Sequence, residues 1–237
     1  MREGGTFLKN TISFRNLTKR YGSVLAVDDL SFDVLAGRVT GLLGPDGSGK
    51  TTTLRILLGL AAPTSGTATI AGWPYCRLPD RLRRVGAALD SNTFHPGRSA
   101  AQHLRIITTA ADLPPRRVDE VLDLARLSDV ASRKVGGFSA DMRQRLSLAS
   151  ALIGNPRVLV LDEPLNGLDP DGISWIRGLL RSLTAGDRTV LVSSHQLSEV
   201  AQIADDVVVV SHGRLVAQAT LSDLFSDLVG HDQDIAA

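Results

Sequence analysis

Residues Gly44-Pro45-Asp46-Gly47-Ser48-Gly49-Lys50-Thr51 constrain this chain more than any other stretch. They fit the spacing G-x-x-x-x-G-K-[ST]. An apolar run, Val39 to Leu43, leads in, and a helix-compatible segment, Thr52 to Leu60, leads out. Strand, glycine loop and helix in that order predict a loop that wraps phosphate. The glycines let backbone N–H groups turn toward phosphate oxygens, and the helix N-terminus adds its positive dipole. In that geometry Lys50 reaches the β- and γ-phosphates and the Thr51 hydroxyl ligates Mg²⁺. The candidate nucleotide contacts are therefore Gly44, Pro45, Asp46, Gly47, Ser48, Gly49, Lys50, Thr51 and Thr52. A glycine turn before an ordinary helix is the plainer alternative, and the flanking segments argue against it.

The rest of the chain supplies a fold around that loop. Ile12 to Leu17 and Leu30 to Val34 read as strands with a turn near Gly22, and Thr67 to Ala71 as a short strand between glycines. Together they predict a mixed, partly antiparallel sheet region. Val85 to Leu89 is a short apolar run ending at Asp90. From Ser99 to about Ser132 the apolar residues recur at three- and four-residue steps, which predicts packed helices, broken at Pro114-Pro115. A further helix is expected from Ser139 to Ile153. Val158 to Leu161 is a continuous apolar run, as in a parallel sheet buried on both faces. Helix Gly172 to Leu183, strand Thr189 to Val192, helix Leu197 to Ala204 and strand Asp206 to Val210 follow, with a hairpin turn at His212-Gly213-Arg214. The alternation is α/β.

Composition removes several function classes. The 237 residues carry a net charge of +1, so no basic surplus calls for nucleic acid. Cys76 is the only cysteine, which rules out a disulfide framework within the chain and fits a reducing compartment. Met1 to Asn10 has no apolar core of signal-peptide length. No apolar run approaches the ~18–20 residues of a membrane-crossing helix. The chain is expected to be soluble by itself, with any membrane role coming through a partner.

Val158-Leu159-Val160-Leu161 delivers two carboxylates, Asp162 and Glu163, at a strand's C-terminal end. Ligands of open α/β sheets bind there. Asp162 is the candidate Mg²⁺ ligand, and Glu163 the group that polarises the attacking water. A pair of solvated acids opening a loop is the alternative, and the glycine loop upstream weighs against it.

At this point the chain resembles a known family. Asp162-Glu163-Pro164, followed by Asn166-Gly167-Leu168-Asp169-Pro170, is similar to the second nucleotide motif and D-loop of ABC-type ATPases. The likeness runs from about Ile12 to Leu224 in the family's order. It implies that Tyr21 stacks on adenine, that His195 in Ser193-Ser194-His195 contacts the γ-phosphate, and that Asp169 belongs to the loop facing a second subunit. Leu161 to Pro164, Gly167 to Pro170 and His95-Pro96-Gly97-Arg98-Ser99-Ala100 narrow the likeness to drug- and bacitracin-exporter ATPases, especially actinobacterial ones. The implied fold is a RecA-like P-loop NTPase core with an antiparallel β region and an inserted helical subdomain. Core and β region would occupy 12–94 and 155–224, the helical subdomain 95–154, and a loose tail 231–237. The implied cofactors are ATP and Mg²⁺. The implied partners are polytopic transmembrane subunits and a second ATPase subunit, identical or different, at the cytoplasmic face of the cell membrane.

Two positions depart from the family pattern. Where a Gln is usual after the strand ending at Leu89, this chain has Asp90. A carboxylate can ligate Mg²⁺ through oxygen as an amide does, so Asp90 is read as a metal ligand, with a helix-capping acid as the alternative. The family's Ser-Gly-Gly signature reads Ser139-Ala140-Asp141 here. Ser139 keeps its place, but Asp141 stands where glycine would approach the γ-phosphate of the facing subunit. A carboxylate ~5 Å from a phosphate charge, at an effective dielectric constant of ~20, is repelled by roughly 3 kcal/mol per unit charge pair. An acid in a first helical turn is itself favourable. Asp141 is thus expected to stabilise the nucleotide-free helix and weaken closure on ATP.

An ATP-hydrolysing exporter subunit leads on these residues. A degenerate or regulatory subunit stays open because of Asp141. A non-transport ABC ATPase also stays open, although the insertion between the two nucleotide motifs is short and lacks sustained heptads.

Overall fold

The computed structural model describes residues 10–89 and 94–223. Asp90 and the expected tail 231–237 lie outside the described residues. The chain opens with β1 (Asn10–Tyr21) and β2 (Val24–Leu35), an antiparallel pair turning at Gly22. Ile12, Phe14 and Leu17 are buried from β1, and Val27, Leu30, Phe32 and Val34 from β2, the three-residue steps falling at irregularities in the β1–β2 ladder. Phe14 sits opposite Phe32, and their rings stack with centroids 4.4 Å apart. After β3 (Val39–Leu43) and α1 (Lys50–Leu57), β4 (Ser65–Ile70) joins the far side of β1, giving a three-stranded antiparallel sheet in the order β2-β1-β4.

A short α2 (Arg81–Arg84) leads into β5 (Val85–Ala88). Three helices then precede the next strand: α3 (Ala100–Ala110), α4 (Arg117–Leu124) and α5 (Ala140–Leu152). They are followed by β6 (Val158–Leu161), α6 (Pro170–Thr184), β7 (Thr189–Ser194), α7 (Leu197–Ile203) and the hairpin β8 (Asp206–Ser211) and β9 (Arg214–Thr220). These strands and β3 form a six-stranded sheet in the order β5-β6-β7-β3-β8-β9. The first five run parallel, and β9 closes the edge antiparallel to β8.

The parallel strands feed two cores. Val158 and Val160 of β6 and Leu191 of β7 pack with Leu54 and Leu57 of α1 and with the antiparallel sheet. Leu159, Leu161, Val190 and Val192 face the other way, into a core shared with α3 to α6. Side chains alternate across a strand, so a strand buried on both faces must be apolar at every position, as β6 is. Strand order brings the C-terminal ends of β6, β7 and β3 side by side, with Leu43 paired to Ser194 and Leu161 to Val192. The expected first helix begins earlier than its apolar pattern, at Lys50 rather than Thr52. Its opening turn is nucleated from the glycine loop, where the Thr53 N–H reaches the Gly49 carbonyl at 2.9 Å.

Candidate functional site

Each of the three adjacent strand ends contributes to one site. Beyond β3, residues 44–49 curl into α1. Gly49 has φ +99°, a left-handed conformation that glycine adopts without cost, and a Cβ there would lie 2.4 Å from the Ala26 carbonyl oxygen. The loop therefore needs glycine at this position for both conformation and space. The Lys50 ammonium is buried and donates to the carbonyls of Gly44 (2.6 Å) and Pro45 (3.2 Å). It also lies 3.6 Å from Glu163 Oε1. A cavity of about 370 Å³ opens here, lined by residues 46–52, Val24 to Ala26 of β2, and Glu163.

Beyond β6, Asp162 is bound through both oxygens. The Thr51 hydroxyl donates to Oδ2 at 2.8 Å, and the Ser193 hydroxyl donates to Oδ1. The same Ser193 oxygen accepts the Glu163 N–H at 2.9 Å. Glu163 is held at φ +46°, a conformation rare outside glycine. Strained backbone of this kind persists where surrounding contacts enforce it. Thr51 and Asp162 offer hard oxygens side by side, the donor type that Mg²⁺ takes. The fit is thus chemically right for that ion.

Beyond β7, His195 Nδ1 donates to Glu163 Oε2 at 3.0 Å. Donor atoms of Asp46, Glu163 and His195 all lie within 4.8 Å of one another. The hydrogen bond and charge of Glu163, with smaller contributions from Asp46 and Glu199, raise the His195 pKa above the ordinary 6.5.

The other predicted residues lie elsewhere. Tyr21 ends β1, about half exposed, with Lys19 Nζ 4.7 Å from its ring centroid. Ser139 and Asp141 sit at the start of α5. The Ser139 hydroxyl caps that helix by accepting the Met142 N–H at 3.1 Å. Asp169 caps α6 by accepting the Gly172 N–H at 2.7 Å. Gln144 of α5 donates to the Pro164 carbonyl at 3.0 Å, tying that helix to the segment just past Glu163. Sequence reasoning assigned no role to Ser193, although its place beside His195 was visible. It also passed over Arg145, which pairs with Asp141 at 2.7 Å and stands one helical turn after it.

Among the described residues no helix is long and apolar enough to cross a membrane. The family model described as "ABC transporter" matches residues 27–166, and one described as "AAA domain, putative AbiEii toxin, Type IV TA system" matches residues 142–201. The Nod factor export ATP-binding protein I of Burkholderia orbicola (strain AU 1054) is 40% identical over 231 residues, covering 93% of this chain and 74% of that protein. The bacitracin transport ATP-binding protein of Bacillus licheniformis is 40% identical over 223 residues, covering 92% and 71%. A solved ATP-binding subunit of an ABC transporter superposes with a TM-score of 0.82 at 27% identity, covering 92% of this chain and 93% of that one. A dimeric bacterial ABC transporter cassette superposes with a TM-score of 0.81 at 25% identity, covering 89% and 98%. With the glycine loop, the paired carboxylates and the histidine gathered at the ends of three adjacent strands, the chain belongs to the ABC transporter family, as an ATP-binding subunit of its ATPase type.

Proposed function

We propose that this chain is the ATP-hydrolysing subunit of an exporter and drives separate transmembrane subunits from the cytoplasmic face of the membrane. The observation that carries the reading is the convergence of Lys50, Thr51, Asp162, Glu163 and His195 on three neighbouring strand ends. The loop residues Gly44 to Thr52 bind the phosphates, and Tyr21 stacks on the adenine. Thr51 and Asp162 hold Mg²⁺, with Asp90 as a further ligand. When bound, that ion neutralises charge on the terminal phosphates. Glu163 accepts the proton of the attacking water, and His195 holds the Glu163 carboxylate in place and contacts the γ-phosphate. Ser139 and Asp169 face the nucleotide of a second ATPase subunit.

The transmembrane partner is proposed to seat a short helix in a groove of about 480 Å³ between α1, β5, α3 and α5. Leu58, Leu60, Tyr75, Leu89 and Phe94 line it, and Leu60 is 66% exposed, which suits an apolar helix face. In this scheme 95–154 is the helical subdomain. The actinobacterial drug-exporter character is part of the same proposal and rests on Leu161 to Pro164, Gly167 to Pro170 and His95 to Ala100.

The test is a pair of substitutions. Lys50→Ala abolishes ATP binding, read by a fluorescent ATP analogue. Glu163→Gln keeps binding and lowers kcat by about 100-fold or more, the scale of a lost general base. Hydrolysis that persists in Glu163→Gln would sink the assignment of that carboxylate. Co-purification with a polytopic membrane protein checks the exporter role.

A further inference from the structure

The acid at position 141 is the residue that nucleotide binding leaves unexplained. It lies in the first turn of α5, two residues past Ser139. Its Oδ2 accepts a hydrogen bond from Arg145 Nε at 2.7 Å. Arg145 is buried, and its guanidinium sits 4.6 Å over the ring of Trp175 on α6. The other carboxylate oxygen, Oδ1, is buried without a hydrogen-bond partner. It occupies space that a side chain at 172 would claim, since a Cβ on Gly172 would lie 2.9 Å from it. The carboxylate thus points back into the seam between α5 and α6. Gly172 makes room for it at the start of α6, where Asp169 already takes the Gly172 N–H.

We propose that Asp141 is a charge masked within its own subunit. Arg145 holds the carboxylate in the seam beside the first turn of α6, so the start of α5 meets a partner's nucleotide without presenting a negative charge. The proposal rests on the reading above, in which this helix end faces the second subunit's ATP. Asp141 and Arg145 are positioning residues here, because neither touches the reacting atoms. The mask also accounts for three features that a freely repelling acid would not need: the ion pair, the buried aromatic under Arg145, and the glycine opposite Oδ1. Loss of Arg145 would release the carboxylate toward the phosphate and impair the site.

The test is steady-state ATP hydrolysis by the full chain across a range of ATP concentrations. Arg145→Met keeps an apolar stem against Trp175 and removes the cation. It is expected to raise KM for ATP about tenfold or more with a smaller change in kcat, the outcome of a repulsive charge near phosphate. Asp141→Asn combined with Arg145→Met should return KM to within about threefold of the unaltered chain. A double variant as impaired as Arg145→Met, or a single variant with unaltered KM, overturns the proposal. Thermal melting separates loss of fold from loss of affinity. If Arg145→Met does not fold, a folded double variant with a near-normal KM still supports the mask, and a double variant that is unfolded or has a raised KM overturns it. A wild-type chain whose hydrolysis is absent or insensitive to Glu163→Gln would strike the nucleotide reading instead.

Discussion

His195 and Glu163 share one hydrogen bond, so the protonation of the imidazole reports on the carboxylate. Glu163 raises the His195 pKa above 6.5. A raised histidine stabilises the folded state fully below its unfolded pKa and loses that contribution as pH rises through the folded value. The window therefore opens at about 6.5 and extends upward. In an NMR titration, the His195 midpoint should lie above that of a free histidine and fall back toward it in Glu163→Gln. A midpoint that does not move in this variant would assign the shift to Asp46 and Glu199. Lys50, Thr51 and Asp162 were legible in the sequence because fixed spacing and a strand end dictate where they stand. Ser193 was not, because its bonds to Asp162 and Glu163 exist only once β6 and β7 lie side by side. Asp141 divides the same way. Its partner four residues on is a helical spacing that the sequence offers. Trp175 and Gly172 are brought to it only by the packing of α6.

At the scale of elements, the helix starts carry much of the specification. The Ser99 hydroxyl accepts the Gln102 N–H at 3.2 Å, and Gln102 Oε1 accepts the Ser99 N–H at 2.9 Å, a reciprocal cap on α3. Ser99→Ala should cost about 1 kcal/mol. That lowers the melting temperature by roughly 2–4 °C in a domain of this size. KM for ATP should stay unchanged, because Ser99 is not part of the nucleotide cavity. A melting curve unaltered by the substitution would mean that the cap does not contribute. The element boundaries were clearest where burial dictates composition. Strand β6 spans the same four residues that the apolar run marks, since both its faces are covered. Strand β1 runs past its apolar stretch to Tyr21, through exposed polar residues such as Arg20, paired with Leu25, where apolar patterning carries no signal. Strand β2 begins at Val24, and its apolar opening, Val24 to Val27, is separated from Leu30 by Asp28 and Asp29.

At the scale of the whole molecule, chain order alone does not predict the arrangement that makes the site. Strand β3 comes first in the chain among the strands of the six-stranded sheet, yet it pairs with β7 and β8, and β6 lies beyond β7. That order sets Lys50 within 3.6 Å of Glu163, residues 113 positions apart in a chain read as a line. The same packing leaves Ser139 and Asp141 outside the lining of the Lys50 cavity. Under the proposed function, that helix start faces the nucleotide of a second subunit. Two subunits facing each other would bury both nucleotides, and hydrolysis would release the pair. Glu163→Gln, which binds ATP without turning it over, should therefore trap the closed form. With Mg²⁺ and ATP its mass by light scattering should rise to twice the 25.2 kDa of the single chain. The same variant with ADP, and Lys50→Ala with ATP, should remain at the single-chain mass. If Glu163→Gln stays single with ATP, closure requires a different ATPase subunit, and co-expression with that subunit should restore the ATP-dependent complex.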